Sequence, residues 1–179
     1  KLMNSVSRAI SLTEGTLAFG KAEEPAPMLQ RFDLFPFAQD ILDNESILSD
    51  EAQLRFLNNV PGHLSVRADP EQLYRAVTNL VRNARQALIS SKQTGTISIE
   101  ASDDNDMWFI DITDTGPGLP LKAQEHLFQP FQGGVRKGGI GLGLAIAQEL
   151  VQGHGGSIAL SQSSPSGTSF RISLPKGAI

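Results

Sequence analysis

Cysteine is absent from this chain. That removes both a disulfide framework and a thiolate metal site, and it suits a reducing, cytoplasmic compartment. Apolar runs never approach the ~18 residues that cross a bilayer, and no secretory signal opens the sequence, so no membrane contact is expected of this stretch. Positive charge is not in excess either. A formal net charge of -4 leaves no broad basic field for nucleic acid or anionic lipid, so any phosphate binding must be local and nucleic acid is not an expected partner. Internal repeats and extended low-complexity tracts are also missing. The first residue is Lys1 rather than Met, which suggests a fragment of a longer protein that could carry a membrane anchor upstream.

What is present suits one globular domain with an appendage: 179 residues, 40% hydrophobic and 19% charged. Leu2, Val6, Ala9, Thr13 and Leu17 recur at three- or four-residue intervals and predict an amphipathic helix over residues 1–20 that needs a partner surface. Glu23, Glu24, Pro25 and Pro27 break that pattern, so residues 21–30 read as a linker and residues 31–179 as the main domain.

Within the main domain, Arg31 to Leu34 reads as extended and Phe37 to Leu48 as helical. Arg55 to Val60 and Leu64 to Ala68 read as short strands joined by the turn Pro61-Gly62. Asp69, Pro70 and Gln72 open a helix in a pattern close to a capping box, and that helix is predicted to run to about Ser90. Strands follow at Thr96 to Ala101 and Met107 to Thr113, with a hairpin through Asp103 to Asp106 between them. A helical turn near Ala123 to Phe128, a helix over Leu142 to Val151 and closing strands at Ser157 to Ser161 and Thr168 to Leu174 complete the pattern. The sum is an α/β fold, a mixed β-sheet covered on one face by helices.

Three features carry chemistry. The long helix places Asn79, Asn83 and Gln86 at i, i+4 and i+7, beside the apolar stripe of Leu73, Val77, Leu80, Ala84 and Leu88. Asp114-Thr-Gly116-Pro-Gly118 follows a strand, where a carboxylate can accept from the exocyclic amine of adenine; guanine presents an acceptor there instead. Gly138-Gly139-Ile-Gly141-Leu-Gly143 precedes a helix, so its amides and the helix N-terminus can receive phosphate. Taken alone, the first cluster is equally a plain turn, and for the second a flexible hinge is the lesser reading beside a phosphate cradle. In order, after the asparagine-bearing helix, they point to ATP. The second cluster lacks the Gly-Lys-Ser/Thr of a P-loop and the spacing of the dinucleotide fingerprint. Asn83 can offer its carbonyl oxygen to Mg²⁺, which prefers oxygen ligands. Arg136 and Lys137 read either as neutralisers of terminal phosphates or as a solvated basic pair.

Asn79-Leu-Val-Arg-Asn83-Ala resembles the N box of sensor histidine kinases, and Asp114-Thr-Gly116-Pro-Gly118 their first glycine box. Leu127-Phe128-Gln-Pro130-Phe131 resembles the F box, Gly139-Ile-Gly141-Leu-Gly143-Leu the second glycine box, and Gly167-Thr168 the terminal glycine motif, while His154-Gly-Gly156 matches the segment after the lid helix. The resemblance covers Arg31 to Pro175 and implies a Bergerat-type ATP-binding domain, a two-layer α/β sandwich. By it, Asn83 would hold Mg²⁺, Asp114 adenine, Gly118 and Thr168 the base through main chain or water, and Gly141, Leu142, Gly143 and Leu144 the phosphates. Asn79, Gln86, Ala87, Gly116 and Leu119 would complete the nucleotide site, and Lys137 would join Asn83 in catalysis.

The same resemblance implies that residues 1–20 are the second half of a dimerisation and phosphoacceptor hairpin, that the longer protein is a homodimer, and that its partner is a response regulator. Two departures stand out. Gln86 occupies a place where many members have a basic side chain, which shifts that phosphate contact toward Lys137. No H box is present, and His63, His126 and His154 all lack the acidic neighbour of a phosphoacceptor, so they read as structural and the acceptor is expected upstream of Lys1.

The same pocket also serves ATP-hydrolysing clamps such as DNA gyrase, which place a glutamate four residues before the metal asparagine as general base. Asn79 stands there and cannot take a proton at neutral pH, which disfavours hydrolysis. A nucleotide-binding regulatory module without catalysis is the other reading. A serine kinase of the anti-sigma type fits less well, because such kinases lack the N-terminal hairpin helix.

Overall fold

Asp69 shows how local sequence sets the frame. In the computed structural model, which describes residues 24–49, 54–130 and 142–177, its extended backbone precedes a 21-residue helix. Its carboxylate accepts from the amides of Glu71 and Gln72, and Pro70 occupies the first helical turn, where a missing N–H costs nothing. The helix predicted to run to Ser90 spans Pro70–Ser90, and its buried face carries Leu73, Val77, Leu80, Ala84 and Leu88 as expected.

The order of elements is β1 (Gln30–Asp33), α1 (Leu34–Ile47), β2 (Leu54–Asn59), β3 (Ser65–Ala68), α2 (Pro70–Ser90), β4 (Gly95–Asp103), β5 (Met107–Asp114), α3 (Leu121–Gln124), α4 (Gly143–Gly153), β6 (Ser157–Ser164) and β7 (Gly167–Pro175). Five strands form one sheet in the order β2-β4-β5-β7-β6, and β1 with β3 makes a separate antiparallel ribbon. The β2–β4 pair is parallel and the other three pairs are antiparallel, so the large sheet is mixed. Helices cover one face, as the sequence pattern predicts. Ile97 and Ile99 of β4, Trp108, Ile110 and Ile112 of β5, and Phe170, Ile172 and Leu174 of β7 join that buried layer. On the opposite face Arg171 grips Asp111 with two 2.8 Å hydrogen bonds and stacks 5.2 Å above Phe109, a solvated arrangement.

Two local expectations change, and a third gains its pairing. The strands expected on either side of Pro61-Gly62 form and join different sheets, β2 the large one and β3 the ribbon. A turn signal states that the chain reverses, not that its flanks share hydrogen bonds. Helix α1 begins three residues before the expected Phe37, with Pro36 in its first turn, a position that proline tolerates. The capping box is made by one arm only. Gln72 turns its amide to the carbonyl of Pro25, and the Asp69 amide donates instead to His154 Nε2 at 3.0 Å.

That exchange ties residues 24–28 to the start of α2. Arg75 holds Glu24 through bonds of 3.1 and 2.8 Å, and the Met28 amide donates to Asp69 Oδ2 at 2.9 Å. Burial alone would raise the pKa of Asp69, but amide donation from Gln72, Met28 and Glu71, with the nearby His154, outweighs it and holds the carboxyl below its ordinary value. The helix predicted over residues 1–20 lies outside the described residues.

Candidate functional site

Alternation along β5 sends Asp114 to the buried face at the strand's C-terminal end, where it is 5% exposed. Its Oδ1 accepts from the amide of Gly116 at 2.8 Å, which closes an Asx turn and fixes the plane of the carboxylate. The turn is stitched to β4 by Thr115 N to Thr96 O at 3.1 Å and by Thr96 N to Thr115 Oγ1 at 2.9 Å. Thr168 lies directly across the sheet from Asp114 and is equally buried. Direct partners share a face, so carboxylate and hydroxyl line the same wall.

Two glycines permit this closeness. A Cβ on Gly167 would collide with the carbonyl oxygen of Asp114. Gly118 has φ +76, and a Cβ there would collide with the carbonyl oxygen of Ser164. The next residue, Leu119, packs its side chain on the core and donates its amide to Ser163 Oγ at 2.8 Å. Phe128 of the F-box segment meets Phe170 edge to face at 6.5 Å, and Phe131 lies outside the described residues.

Helix α2 links this turn to the start of α4. Near its C-terminal end, Leu88 Cδ2 lies 3.6 Å from where a Cβ of Gly116 would sit. Near its middle, Asn79 Oδ1 lies 3.5 Å from where a Cβ of Gly143 would sit, so the asparagine abuts the first turn of α4. Nine residues separate these points, about 13 Å along a helix, and half-buried Asn83 and Gln86 fall between them. Ala87 is buried on the core side, Leu142 is buried just before α4, and Gly143 and Leu144 are half-buried.

The structure therefore brings Asn79 to Gly143, and Gly116, Gly118, Leu119 and Thr168 to the neighbourhood of Asp114, with α2 as the rail between the two groups; Leu144 follows Gly143 in the first turn of α4. Arg136, Lys137, Gly138, Gly139 and Gly141 lie outside the described residues. Asn83 supplies a hard, neutral carbonyl oxygen, a donor that fits Mg²⁺ accompanied by water and phosphate oxygens. Among the described residues no group of three or more His, Cys, Asp or Glu could hold a metal by itself.

His154 is 4% exposed and fully engaged: Nδ1 donates to the Leu150 carbonyl at 2.8 Å while Nε2 accepts from Asp69. This is the structural role expected of it; His63 and His126 are exposed. Sequence reasoning missed the buried Glu45, whose Oε2 lies 2.9 Å from Arg85 Nε and whose Oε1 lies 3.4 Å from Arg82 Nη2. These contacts tie α1 to the back of the asparagine-bearing helix. A charged residue at an apolar-stripe position, four after Ile41, was the available signal.

Comparison with known proteins agrees with this geometry. The sequence pattern described as histidine kinase-, DNA gyrase B-, and HSP90-like ATPase matches residues 68–178. Sensor histidine kinase WalK of Bacillus subtilis is 31% identical over 182 residues, covering 96% of this chain and 29% of its own length. The chain spans between 18% and 35% of the length of the first curated relatives it matches. Among solved structures, the mycobacterial sensor histidine kinase MprB aligns with a TM-score of 0.69 at 27% identity over 83% of this chain and 97% of that one. Histidine kinase ThkA, solved in complex with response regulator protein TrrA, shares the fold at a TM-score of 0.76 and 23% identity, over 98% of this chain and 49% of that one. The chain belongs to the histidine kinase-, DNA gyrase B- and HSP90-like ATPase family, as a catalytic ATP-binding domain of the sensor histidine kinase kind.

Proposed function

We propose that this chain binds Mg-ATP and, joined to the rest of its protein, donates the γ-phosphate to a histidine on a helix that is not part of this sequence, from which a response-regulator aspartate receives it. Asn79 carries the reading. It stands beside α4, where a hydrolase of this family needs a glutamate, and an amide cannot activate water. An imidazole nitrogen needs no such base at neutral pH.

In the transfer, the nitrogen lone pair forms the new N–P bond while the bond from Pγ to the bridging oxygen breaks, and ADP leaves with that electron pair. The chain's own residues bind and orient. Asp114 accepts from the adenine amine, Thr168 and the Gly116 to Leu119 turn hold the base, and Asn79, Gln86 and the residues opening α4 align the phosphates. Asn83 would hold Mg²⁺, which neutralises phosphate charge when bound. Ala87 backs the pocket, and Lys137 and Gly141 join it. Residues 1–20 belong to the dimerisation and phosphoacceptor hairpin of a homodimer, residues 21–30 to the linker, and 31–179 to the catalytic domain. Among the described residues no helix is long and apolar enough to cross a membrane, and we place the domain in the cytoplasm.

Label transfer from γ-labelled ATP tests the reading on the longer protein. Acid-labile, base-stable phosphoprotein is expected, and acid-stable label would overturn the histidine assignment. ATP binding without any transfer would favour a regulatory module instead. Asp114→Asn should weaken ATP binding, and an unchanged affinity would show that the base is held elsewhere.

A further inference from the structure

The structure assigns to Ser163 a positioning role: its hydroxyl sets the distance between the Gly118-Leu119 backbone and the base-reading carboxylate of Asp114. The inference rests on the ATP-binding reading of this site and extends it to the β6–β7 hairpin, which the motifs do not reach beyond Gly167-Thr168.

The register places the serine. Asp114 of β5 pairs directly with Thr168 of β7, and Thr168 pairs directly with Ser163 of β6. Direct partners point to the same face, so carboxylate and two hydroxyls form one polar row across three strands on the helix-covered side. Asp114 and Thr168 are each 5% exposed and Ser163 is half-buried at the row's end. There its Oγ accepts from the Leu119 amide at 2.8 Å, the one partner that the described residues give that amide.

The neighbouring contacts make the bond a spacer rather than a surface detail. Gly118 lies so close to the Ser164 carbonyl that no side chain fits between them, and Gly167 lies equally close to the Asp114 carbonyl. The hairpin tip therefore touches the turn at both ends. The tip is itself braced, since Ser164 Oγ and Ser166 Oγ are 2.8 Å apart and the Ser166 amide donates to Ser164 Oγ at 3.2 Å. A binding slot holds its ligand only if its walls keep their separation within a fraction of an ångström. With the Ser163 hydroxyl removed, Leu119 N has lost its acceptor and the turn is free to drift from Thr168 and Asp114.

Calorimetric titration of the 179-residue chain with Mg-ATP and Mg-ADP tests this, using Ser163→Val, Ser163→Ala and Ser163→Thr, with folding checked by circular dichroism. Valine and threonine have nearly the same shape, so the pair isolates the hydroxyl. Val and Ala are expected to raise Kd about five-fold, the weight of one neutral hydrogen bond, equally for ATP and ADP because the effect lies at the base. Thr is expected to bind like the native chain. Exchange of the Leu119 amide should quicken in Val and Ala and not in Thr. Native affinity in both Val and Ala, a Thr variant as weak as they are, or a loss confined to ATP would overturn the positioning role. A native chain that binds neither nucleotide would overturn the ATP reading itself, a separable outcome.

Discussion

His154→Ala isolates what the buried imidazole does. The ring gives an acceptor to the Asp69 amide at 3.0 Å and a donor to the Leu150 carbonyl at 2.8 Å, joining the first turn of α2 to the last turn of α4. Alanine leaves both groups without partners in a place only 4% exposed. Each orphaned buried group costs about 1–3 kcal/mol, and water entering the vacated volume recovers part of that, so a net loss of about 2–4 kcal/mol is expected. For a domain of this size 1 kcal/mol moves the melting temperature by about 2–4 °C, which puts the midpoint roughly 4–16 °C lower. Differential scanning calorimetry of the native chain, His154→Ala and His154→Gln measures it. Gln should recover part of the loss, because its carbonyl can accept from Asp69. A midpoint within about 2 °C of native in the alanine variant would refute the claim that these two bonds are shielded from water.

Three further outcomes follow from the same geometry. Gly118→Ala forces a side chain onto a φ of +76 and into the Ser164 carbonyl, so the turn must shift and ATP affinity should fall about ten- to a hundred-fold by calorimetry; native affinity would show that the turn does not shape the pocket. Glu45→Ala strips the partner from Arg85, whose side chain is 14% exposed, and should cost about 3–5 kcal/mol in urea unfolding; a loss below about 1 kcal/mol would mean that solvent already screens the pair. The folded pKa of Asp69 is depressed, so its contribution is complete above the unfolded carboxylate value and is lost as pH falls through the folded one. Melting curves between pH 7 and pH 3 should show the native chain losing more stability than Asp69→Asn, and equal slopes would exclude a role for that charge.

Periodicity made most of the fold readable because each element buries one face. The Asp69-Pro70 start signal and the stripe from Leu73 to Leu88 located α2, and the alternation of Trp108, Ile110 and Ile112 located β5. The chain around Pro61-Gly62 was not readable in this way. The β2 strand pairs with β4 across a separation that local pattern does not encode, and only the assembled sheet gives β2 and β3 different partners. Of the candidate site, the residues proposed to bear the chemistry were nominated by their types and spacing and by the family resemblance. Those that hold them were not, since Ser163 sits in an unremarkable turn-rich run and Glu45 looks like one more helix carboxylate.

Local order in the chain determined which groups could serve. Asn79 in place of a base, an oxygen donor at Asn83, a carboxylate at Asp114 and glycines where backbone must approach backbone are properties of side chains that no fold can add. The tertiary structure alone decided distance. It set Asp114, Thr168 and Ser163 in one row, placed Asn79 against the start of α4, and completed the cap of α2 with an imidazole 85 residues away. Such contacts depend on how three strands fall into register and how two helices pack side by side. That outcome belongs to the summed burial of the whole core, and no window of sequence contains it.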